Sequence, residues 1–369
     1  MADGEPRTGH GQARIACPLA MAQTSENSPH NREEQGMSTQ TASVDLTPVE
    51  VHPGTWTEYR ELWGRAEALE LLTAHPLHLD LELTSHCNLR CKMCWQSGLL
   101  DTPMGFMEDE LFERIVDEGV RQGLCGIKLQ IRGESTMHPR LARLARYAHE
   151  AGVLDVQLTT NGTLLDKPGK LEELLGAGLH KLIFSIDPAH DESAREIYGD
   201  RVPEVRMIVQ EAVELRNRLG LARPYIRVQA YTQPDQTQEE LLAELKREFP
   251  DVDEYLATHL FNAQYDVDSL DGLSTEYEMY PCSYLWTRLA IYWNGDATIC
   301  CRDYNATMKL GNVRDAGVRA LWLGEKMGGI RLMHLRDERQ DITVCSHCEV
   351  CTEPKLGRAT SKFMHEVKA

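Results

Sequence analysis

The stretch Glu82-Leu-Thr-Ser-His-Cys87-Asn-Leu-Arg-Cys91-Lys-Met-Cys94-Trp95 places three cysteines within eight residues. It follows His78–Leu83, an apolar run typical of a buried strand. Closely spaced thiolates in this position indicate a metal site, because zinc and iron–sulfur clusters both take cysteine ligands. Three cysteines on a cluster of four irons would leave one iron open to an outside ligand. The alternatives are a zinc site completed by His86 or a distant residue, and a loop that binds no metal.

Strands and helices alternate along the chain around this loop. Repeated βα units predict a parallel sheet with covering helices, and six units are too few for a closed eight-strand barrel. We therefore expect an α/β fold with an open or partial barrel. The predicted strands are His78–Leu83, Gly126–Ile131, Val153–Thr160, Lys181–Asp187, Tyr225–Tyr231 and Tyr255–Leu260. The predicted helices are 55–75, Glu108–Gln122, Pro139–Ala151, Leu171–Ala177, Glu204–Leu219 and Gln238–Phe249.

The two ends of the chain differ from this α/β region, which we assign to residues 53–270. Residues 1–52 are rich in small and polar residues, and this composition predicts a disordered tail. Residues 271–369 are predicted to form a small, cysteine-rich second domain. Its first feature is a hairpin at Asn294-Gly295, a two-residue turn signal. The predicted hairpin strands are Leu289–Tyr292 and Ala297–Cys300, and short helices follow at Val318–Leu323 and Gly329–Arg336.

Charge and cysteine content restrict the class of protein. The chain has 369 residues, with 39 Lys+Arg against 57 Asp+Glu, a net charge of -18 that argues against nucleic acid as the main partner. The sequence lacks an apolar run of about 18 residues, so we expect no transmembrane helix. Nine of its 11 cysteines fall into three clusters. In a cytoplasmic protein, which we expect this to be, such clusters favour metal ligation or catalysis over disulfides.

The first cysteine loop resembles the cluster-binding loop of radical S-adenosylmethionine (SAM) enzymes. The resemblance covers residues 77–265 and extends to Ile131-Arg-Gly-Glu-Ser-Thr-Met-His-Pro139, which is similar to the family's Gly-Gly-Glu-Pro motif. Arg132 stands in place of the first Gly and Ser135 in place of Pro. The resemblance implies a partial (β/α)6 barrel whose SAM-binding [4Fe-4S] cluster has one open iron. The implied cluster ligands are Cys87, Cys91 and Cys94.

The resemblance also implies a set of SAM-binding residues. These are Met93, Gly133, Glu134, Asn161, Ser185 and Asp187. Taken singly, each has a plainer interpretation: Asn161-Gly162 is a common turn, Ser185 or Asp187 could cap a strand, and Glu134 could be a solvated carboxylate. Together they favour a binding site, because all fall at the carboxyl ends of predicted strands, where such folds carry their chemistry.

A second group of cysteines resembles the start of the SPASM domain, which carries auxiliary clusters in one branch of the same family. Twelve residues separate Cys282 from Gly295, and Cys345-Ser-His-Cys348-Glu-Val-Cys351 closes the group. Six cysteines fit the shorter twitch type, with one auxiliary [4Fe-4S] cluster, better than the full domain with seven. The predicted ligands are Cys282, Cys300, Cys345 and Cys348, for which Cys301 and Cys351 compete. A structural zinc on the same four cysteines is the alternative.

The resemblance implies that a 5′-deoxyadenosyl radical from SAM takes a hydrogen atom from a bound substrate. Oxidation is complete when one proton and one electron also leave the substrate radical. A nearby auxiliary cluster is a natural electron acceptor, which predicts a radical SAM oxidoreductase that dehydrogenates an alcohol. Asp303 is the candidate base, although a turn residue is the plainer interpretation.

Other functions remain open. An epimerase would need a thiol as hydrogen donor, for which Cys301 and Cys125 are candidates, although an unpaired cysteine is more often a buried apolar residue. A peptide maturase ranks lower, because the tail is predicted to be disordered and not a leader-peptide-binding domain. A non-catalytic zinc-binding protein would lack iron altogether. The expected partners are a small polar metabolite, such as a sugar or aminocyclitol of a specialised pathway, and an external one-electron donor of flavodoxin or ferredoxin type.

Overall fold

The computed structural model describes residues 46–91, 94, 103–186, 202–232, 236–258, 277–279, 281–346, 348, 352–354 and 363–367. The strands are β1 Pro48–Val49, β2 Leu72–Thr73, β3 His78–Leu81, β4 Gly126–Lys128, β5 Asp155–Thr160, β6 Lys181–Ser185, β7 Tyr225–Tyr231, β8 Glu254–Thr258, β9 Tyr277–Met279, β10 Arg288–Ile291, β11 Asp296–Thr298, β12 Gly311–Asn312, β13 Thr352–Pro354 and β14 Phe363–Val367. The helices are α1 Trp56–Glu67, α2 Asp109–Arg121, α3 Leu141–Glu150, α4 Lys170–Leu175, α5 Val202–Arg218, α6 Gln238–Glu248, α7 Tyr284–Thr287, α8 Val313–Trp322 and α9 Glu325–Leu335.

Six consecutive parallel strands form the centre of the structure. Strands β3 to β8 lie side by side in chain order, each paired in parallel with the next. This order confirms the predicted α/β class with six βα units, since parallel neighbours need a crossover between them. The strand at 255–260 is described only to Thr258, because residues 259 and 260 lie outside the described part of the chain.

The lead-in helix is shorter than predicted. Thr55 and Glu58 form a capping box in which each side chain binds the backbone N–H of the other, so α1 starts at the predicted place. It ends at Glu67 and not at residue 75, because Leu69 adopts a φ of 61° and breaks the helical path. The chain then extends into Leu72–Thr73.

Part of the predicted disordered tail is ordered. Pro48–Val49 pairs in parallel with Leu72–Thr73, and the Glu50 carboxylate binds the Arg319 guanidinium of α8. The prediction of disorder for residues 1–52 is therefore wrong for its last residues, where backbone pairing and one ion pair fix an otherwise polar segment. Residues 1–45 lie outside the described part of the chain.

The sheet continues into the cysteine-rich region. The predicted hairpin is present as β10 and β11, and β10 also pairs in parallel with β3. Strand β12 extends this edge, and Phe363–Val367 pairs antiparallel with β8 at the other. The regions 53–270 and 271–369 therefore share one sheet, and their division into two domains stays a prediction. Among the described helices, none is both long and apolar enough to cross a membrane.

Along the strands, apolar side chains that face the helices alternate with polar side chains that face the inner side of the curved sheet. This inner side is called the lumen. In β3, Leu79 and Leu81 join the large apolar core, so His78 and Asp80 face the opposite side. In β4 and β5 the same alternation turns Lys128 and Gln157 toward this lumen. Most of the lumen side chains are polar, which suits a ligand with hydrogen-bonding groups.

Candidate active site and cluster-binding cysteines

The first cysteine loop leaves β3 at the carboxyl edge of the sheet. Cys87, Cys91 and Cys94 are all partly buried, and Cys94 N–H donates to the Cys91 carbonyl over 3.0 Å. Burial raises the pKa of the Cys87 thiol, and the negative charges of Glu134 and Cys94 raise it further. A cation beside these sulfurs would offset that cost, because a bound metal deprotonates its thiol ligands.

Gly133 holds this loop against the end of β4. A Cβ atom at position 133 would lie 2.2 Å from the Thr84 carbonyl oxygen and 2.5 Å from that of His86. The next residue, Glu134, donates its N–H to the same His86 carbonyl over 2.8 Å. The backbone before Cys87 and the Gly133-Glu134 segment therefore touch directly, and only glycine fits between them.

The Glu134 carboxylate is fixed across two strand ends. Its Oε1 accepts hydrogen bonds from the Thr136 N–H at 3.0 Å and from the hydroxyls of Thr136 and Thr160. Its Oε2 accepts the Asn161 N–H at 2.8 Å. The side chain is buried, so the interpretation as a solvated loop carboxylate is wrong. A fixed, buried carboxylate beside the cysteine loop suits the binding of a cationic amino group.

Asn161 connects the third strand end to the cysteine loop. Its Nδ2 donates to Asn88 Oδ1 over 3.2 Å, and Asn88 Nδ2 donates to Thr163 Oγ1 over 2.7 Å. Ser185 ends β6 at the same edge and is partly buried. Met93 and Asp187 lie outside the described residues, so their predicted roles stay predictions.

The four predicted auxiliary ligands line one cavity. Cys282, Cys300, Cys345 and Cys348 all contribute to its wall. No carboxylate stands among its described lining residues, whereas Arg302, His334 and Arg339 do. Four thiolates can hold an iron–sulfur core, and the core together with its thiolates is anionic, which suits the surrounding hydrogen-bond donors and cations.

Two residues hold the backbone of these cysteines. His334 Nδ1 accepts the Cys282 N–H over 3.3 Å, and Arg339 Nη2 donates to the Cys348 carbonyl over 2.8 Å. Burial lowers the pKa of His334 to about 4, helped by the positive charge of Arg339. The His334 ring is therefore neutral at pH 7. Sequence reasoning missed both residues, because neither lies in a recognisable motif.

Cys301 is not among the described residues that line the cavity, and its neighbours include lumen side chains. It packs against Ala290 and Tyr292 of the lumen side, and Asp80, Lys128 and Arg288 act on its charge. The Cys300 thiol lies within hydrogen-bonding reach and lowers the pKa of Cys301. Adjacent residues thus place one sulfur in the auxiliary cavity and the next beside the lumen.

The structure contradicts the prediction of Asp303 as the base. Asp303 is fully buried, and its carboxylate accepts hydrogen bonds from the Thr298 hydroxyl, both the N–H and hydroxyl of Thr307, and the Met308 N–H. A carboxylate that receives four donors organises its loop and is not available to a substrate. The turn interpretation is the better one, because these donors all come from the segment around Asp303.

A buried ion pair joins the segments that follow β3 and β4, and a hydrogen bond connects this pair to the loop at Tyr304. The Arg132 guanidinium binds both oxygens of Glu82, at 2.6 and 2.7 Å, and also donates to the Tyr304 carbonyl over 2.9 Å. Its guanidinium lies over the Tyr292 ring, 4.0 Å from the centroid. Arg132, which stands where the family motif has its first Gly, therefore has a structural role. The paired Glu82 precedes the cysteine loop, where sequence reasoning assigned it no role.

Two family models match the chain on these same segments. Residues 81–246 match the radical SAM superfamily, and residues 282–351 match an iron–sulfur cluster-binding domain, SPASM. The chain belongs to the radical SAM superfamily. The matched segments contain both cysteine groups. The fold described above is the one that the resemblance implies.

Relatives of this superfamily member differ in the reactions their names state. A tungsten-containing aldehyde ferredoxin oxidoreductase cofactor-modifying protein of Pyrococcus furiosus is 26% identical over 74% of this chain and 88% of its own length. An AdoMet-dependent heme synthase of Methanosarcina barkeri is 36% identical, over 35% of this chain and 36% of its own. Streptococcus suis SuiB bound to S-adenosylmethionine superposes with a TM-score of 0.56 at 18% identity, over 70% of this chain and 68% of that one. This last similarity shows the fold alone.

The cofactors of this radical SAM protein are SAM, a SAM-binding [4Fe-4S] cluster and auxiliary iron–sulfur clusters in the SPASM domain. Across the described residues, no three His, Cys, Asp or Glu side chains stand as ligands of a single metal ion. A cubane spreads its ligand sulfurs around a larger group than one ion. The cysteine-lined cavity fits such a group on chemical grounds, since it offers four sulfurs and several donors.

Proposed function

We propose that this protein is a radical SAM oxidoreductase that dehydrogenates an alcohol of a small polar metabolite. When bound, SAM and the first cluster supply a 5′-deoxyadenosyl radical that removes one hydrogen atom, and the auxiliary cluster supplies a one-electron acceptor. Loss of that atom, one proton and one electron converts the alcohol to a ketone. The chain would hold the first cluster with Cys87, Cys91 and Cys94, and the auxiliary cluster with Cys282, Cys300, Cys345 and Cys348.

The observation that carries this proposal is the place of the auxiliary cavity beside the lumen. Cys300 lines the cavity, and the next residue, Cys301, is surrounded by lumen side chains. An electron that leaves a substrate in the lumen therefore has a short covalent path to the cavity. An auxiliary group in this position suits a reaction that ends in net oxidation.

The lumen favours a polar substrate over an apolar one. Lys128, Gln157 and Gln229 are partly buried and face the lumen, and Lys181, the sheet neighbour of Gln157, binds the Glu254 carboxylate at 2.8 Å. Such side chains orient hydroxyl and amino groups through hydrogen bonds, whereas an apolar ligand would leave them unpaired.

Asp80 replaces Asp303 as the candidate proton acceptor. It is almost fully buried on the lumen side, and neither of its oxygens has a hydrogen-bond donor within the described structure. His78 Nε2 and Arg288 Nη1 lie 3.7 and 3.8 Å away, beyond ordinary hydrogen-bond distance. A carboxylate with unused lone pairs can accept the proton that a substrate hydroxyl releases.

Epimerisation is the second candidate, and the place of Cys301 favours it. A thiol beside the lumen could return a hydrogen atom to the opposite face of a substrate radical. The reaction would then end without net oxidation, and the auxiliary cluster would serve a structural role.

The two functions differ in the mass of the product. Reconstituted protein is incubated anaerobically with SAM, a reductant and candidate polyols in heavy water. Dehydrogenation removes two hydrogens from the substrate, whereas epimerisation adds one deuterium at unchanged oxidation state. The Asp80→Asn variant should slow ketone formation, and the Cys301→Ala variant should leave it in place. Ketone loss in Cys301→Ala, with deuterium incorporation in the wild type, would favour the epimerase instead.

A further inference from the structure

Two side chains that line the auxiliary cavity each carry a buried nitrogen atom without a hydrogen-bond partner among the described residues. His334 Nε2 and Arg339 Nη1 are both buried and make no hydrogen bond within the described structure. The two side chains are 3% and 4% exposed, and both line the cavity. Buried donors are nearly always paired, so two unpaired ones at a single cavity indicate a missing acceptor.

Both side chains are oriented by a predicted ligand cysteine. His334 Nδ1 accepts the Cys282 N–H, which leaves the ring hydrogen of a neutral imidazole on Nε2. Arg339 uses Nη2 on the Cys348 carbonyl, which leaves Nη1. In each case one nitrogen holds the ligand backbone and the other remains as a donor. This arrangement resembles the outer contacts that orient and tune metal ligands.

We propose that His334 Nε2–H and Arg339 Nη1–H donate hydrogen bonds to sulfur atoms of the auxiliary cluster and raise its reduction potential. The proposal rests on the proposed ligand set of Cys282, Cys300, Cys345 and Cys348. Donors stabilise the reduced cluster more than the oxidised one, because reduction adds negative charge to the sulfurs. A higher potential makes the cluster a better acceptor for the electron of a substrate radical.

Conservative variants of His334 isolate the donor from the ligand-holding contact. In His334→Asn the side-chain oxygen can still accept the Cys282 N–H, but the Nε2 donor is absent. In His334→Gln an amide donor can occupy the place of Nε2. One hydrogen bond to a charged group contributes about 1.5 kcal/mol, roughly tenfold in the reduction equilibrium. Tenfold corresponds to about 59 mV for one electron.

The experiment uses the full chain with Cys87, Cys91 and Cys94 replaced by Ala, so that only an auxiliary cluster can form. An EPR-monitored redox titration should place the Asn variant about 59 mV below its parent. The Gln variant should lie nearer the parent. His149→Asn, on the exposed face of α3, is the matched control and should leave the potential unchanged.

The outcomes distinguish this inference from the ligand assignment. A parent protein without about four irons per chain after reconstitution would refute the ligand set itself. A parent with a cluster, but with equal potentials in the parent and both variants, would overturn the role of His334 alone. If the Asn variant does not fold, pulsed EPR of the parent labelled with ¹⁵N-histidine decides. A histidine nitrogen coupled to the reduced cluster would support the contact, and its absence would overturn it.

Discussion

Replacing Gly133 by Ala should separate the cysteine loop from the segment that follows β4. The new Cβ would lie 2.2 Å from the Thr84 carbonyl oxygen, whereas a close C···O contact is about 3.3 Å, so the two segments must move apart by about 1 Å. The three nearest atoms all belong to the backbone of residues 84–86, and no side-chain rotation can relieve the overlap.

The cost of this substitution follows from the contacts it breaks. Overpacking of a tight site costs about 1–3 kcal/mol, and the loss of the Glu134 to His86 backbone hydrogen bond adds about 1 kcal/mol. We expect the free energy of unfolding to fall by about 3 kcal/mol. A displacement of about 1 Å at reacting groups can reduce a rate about 100-fold, and we expect that loss in 5′-deoxyadenosine formation.

The assay compares unfolding in urea, iron content and 5′-deoxyadenosine formation after anaerobic reconstitution. Iron should fall from about eight to about four per chain, because only the first cluster depends on this contact. Gly328→Ala is the control: nothing lies within 4 Å of its Cβ in helix α9, and the change should stabilise by about 1 kcal/mol. Wild-type iron content together with a rate within twofold of wild type in Gly133→Ala would refute the reasoning.

Three further predictions concern buried polar groups. Arg132→Met leaves the Glu82 carboxylate buried without its ion-pair partner and with only the Trp293 N–H at 3.3 Å, so unfolding in urea should show a loss of about 3–5 kcal/mol. A second change, Glu82→Leu, should recover most of this loss. Asp303→Asn should lower stability by at least about 2 kcal/mol, because its amide nitrogen faces donors; an unchanged urea midpoint with lost turnover would instead support a base. Burial lowers the pKa of His75 to about 4 in the folded protein, against 6.5 when unfolded. The contribution of the neutral His75 ring to stability is therefore complete above pH 6.5 and is lost as the pH falls, by about 2 kcal/mol between pH 7 and pH 5. His75→Leu should remove this part of the pH dependence of urea unfolding.

The core of the site could be predicted because its signals are local. Three cysteines in one loop, and Gly133-Glu134 after the next strand, are short segments whose spacing is independent of the rest of the chain. Once the strands are parallel, their carboxyl ends must meet at one edge. The contact between Gly133 and the backbone before Cys87 realises that expectation.

The wrong or missing assignments depend on contacts that residue type and composition do not reveal. Asp303 has the residue type of a base, and only its four donors show that it organises a loop. The last residues of the predicted tail have a disordered composition, but Glu50 meets Arg319 of α8. No local pattern predicts an ion pair between residues so far apart in the chain.

By itself, the sequence determined the order of strands and helices, the two cysteine groups and the superfamily, since periodicity and spacing are written along the chain. Tertiary structure decided which side each polar group faces. Packing placed Cys301 beside lumen side chains and closed the Asp303 carboxylate within its loop, while it left His334 Nε2 buried at the auxiliary cavity. Orientation and burial depend on every neighbour of a side chain at once, and these neighbours come together only when the sheet forms.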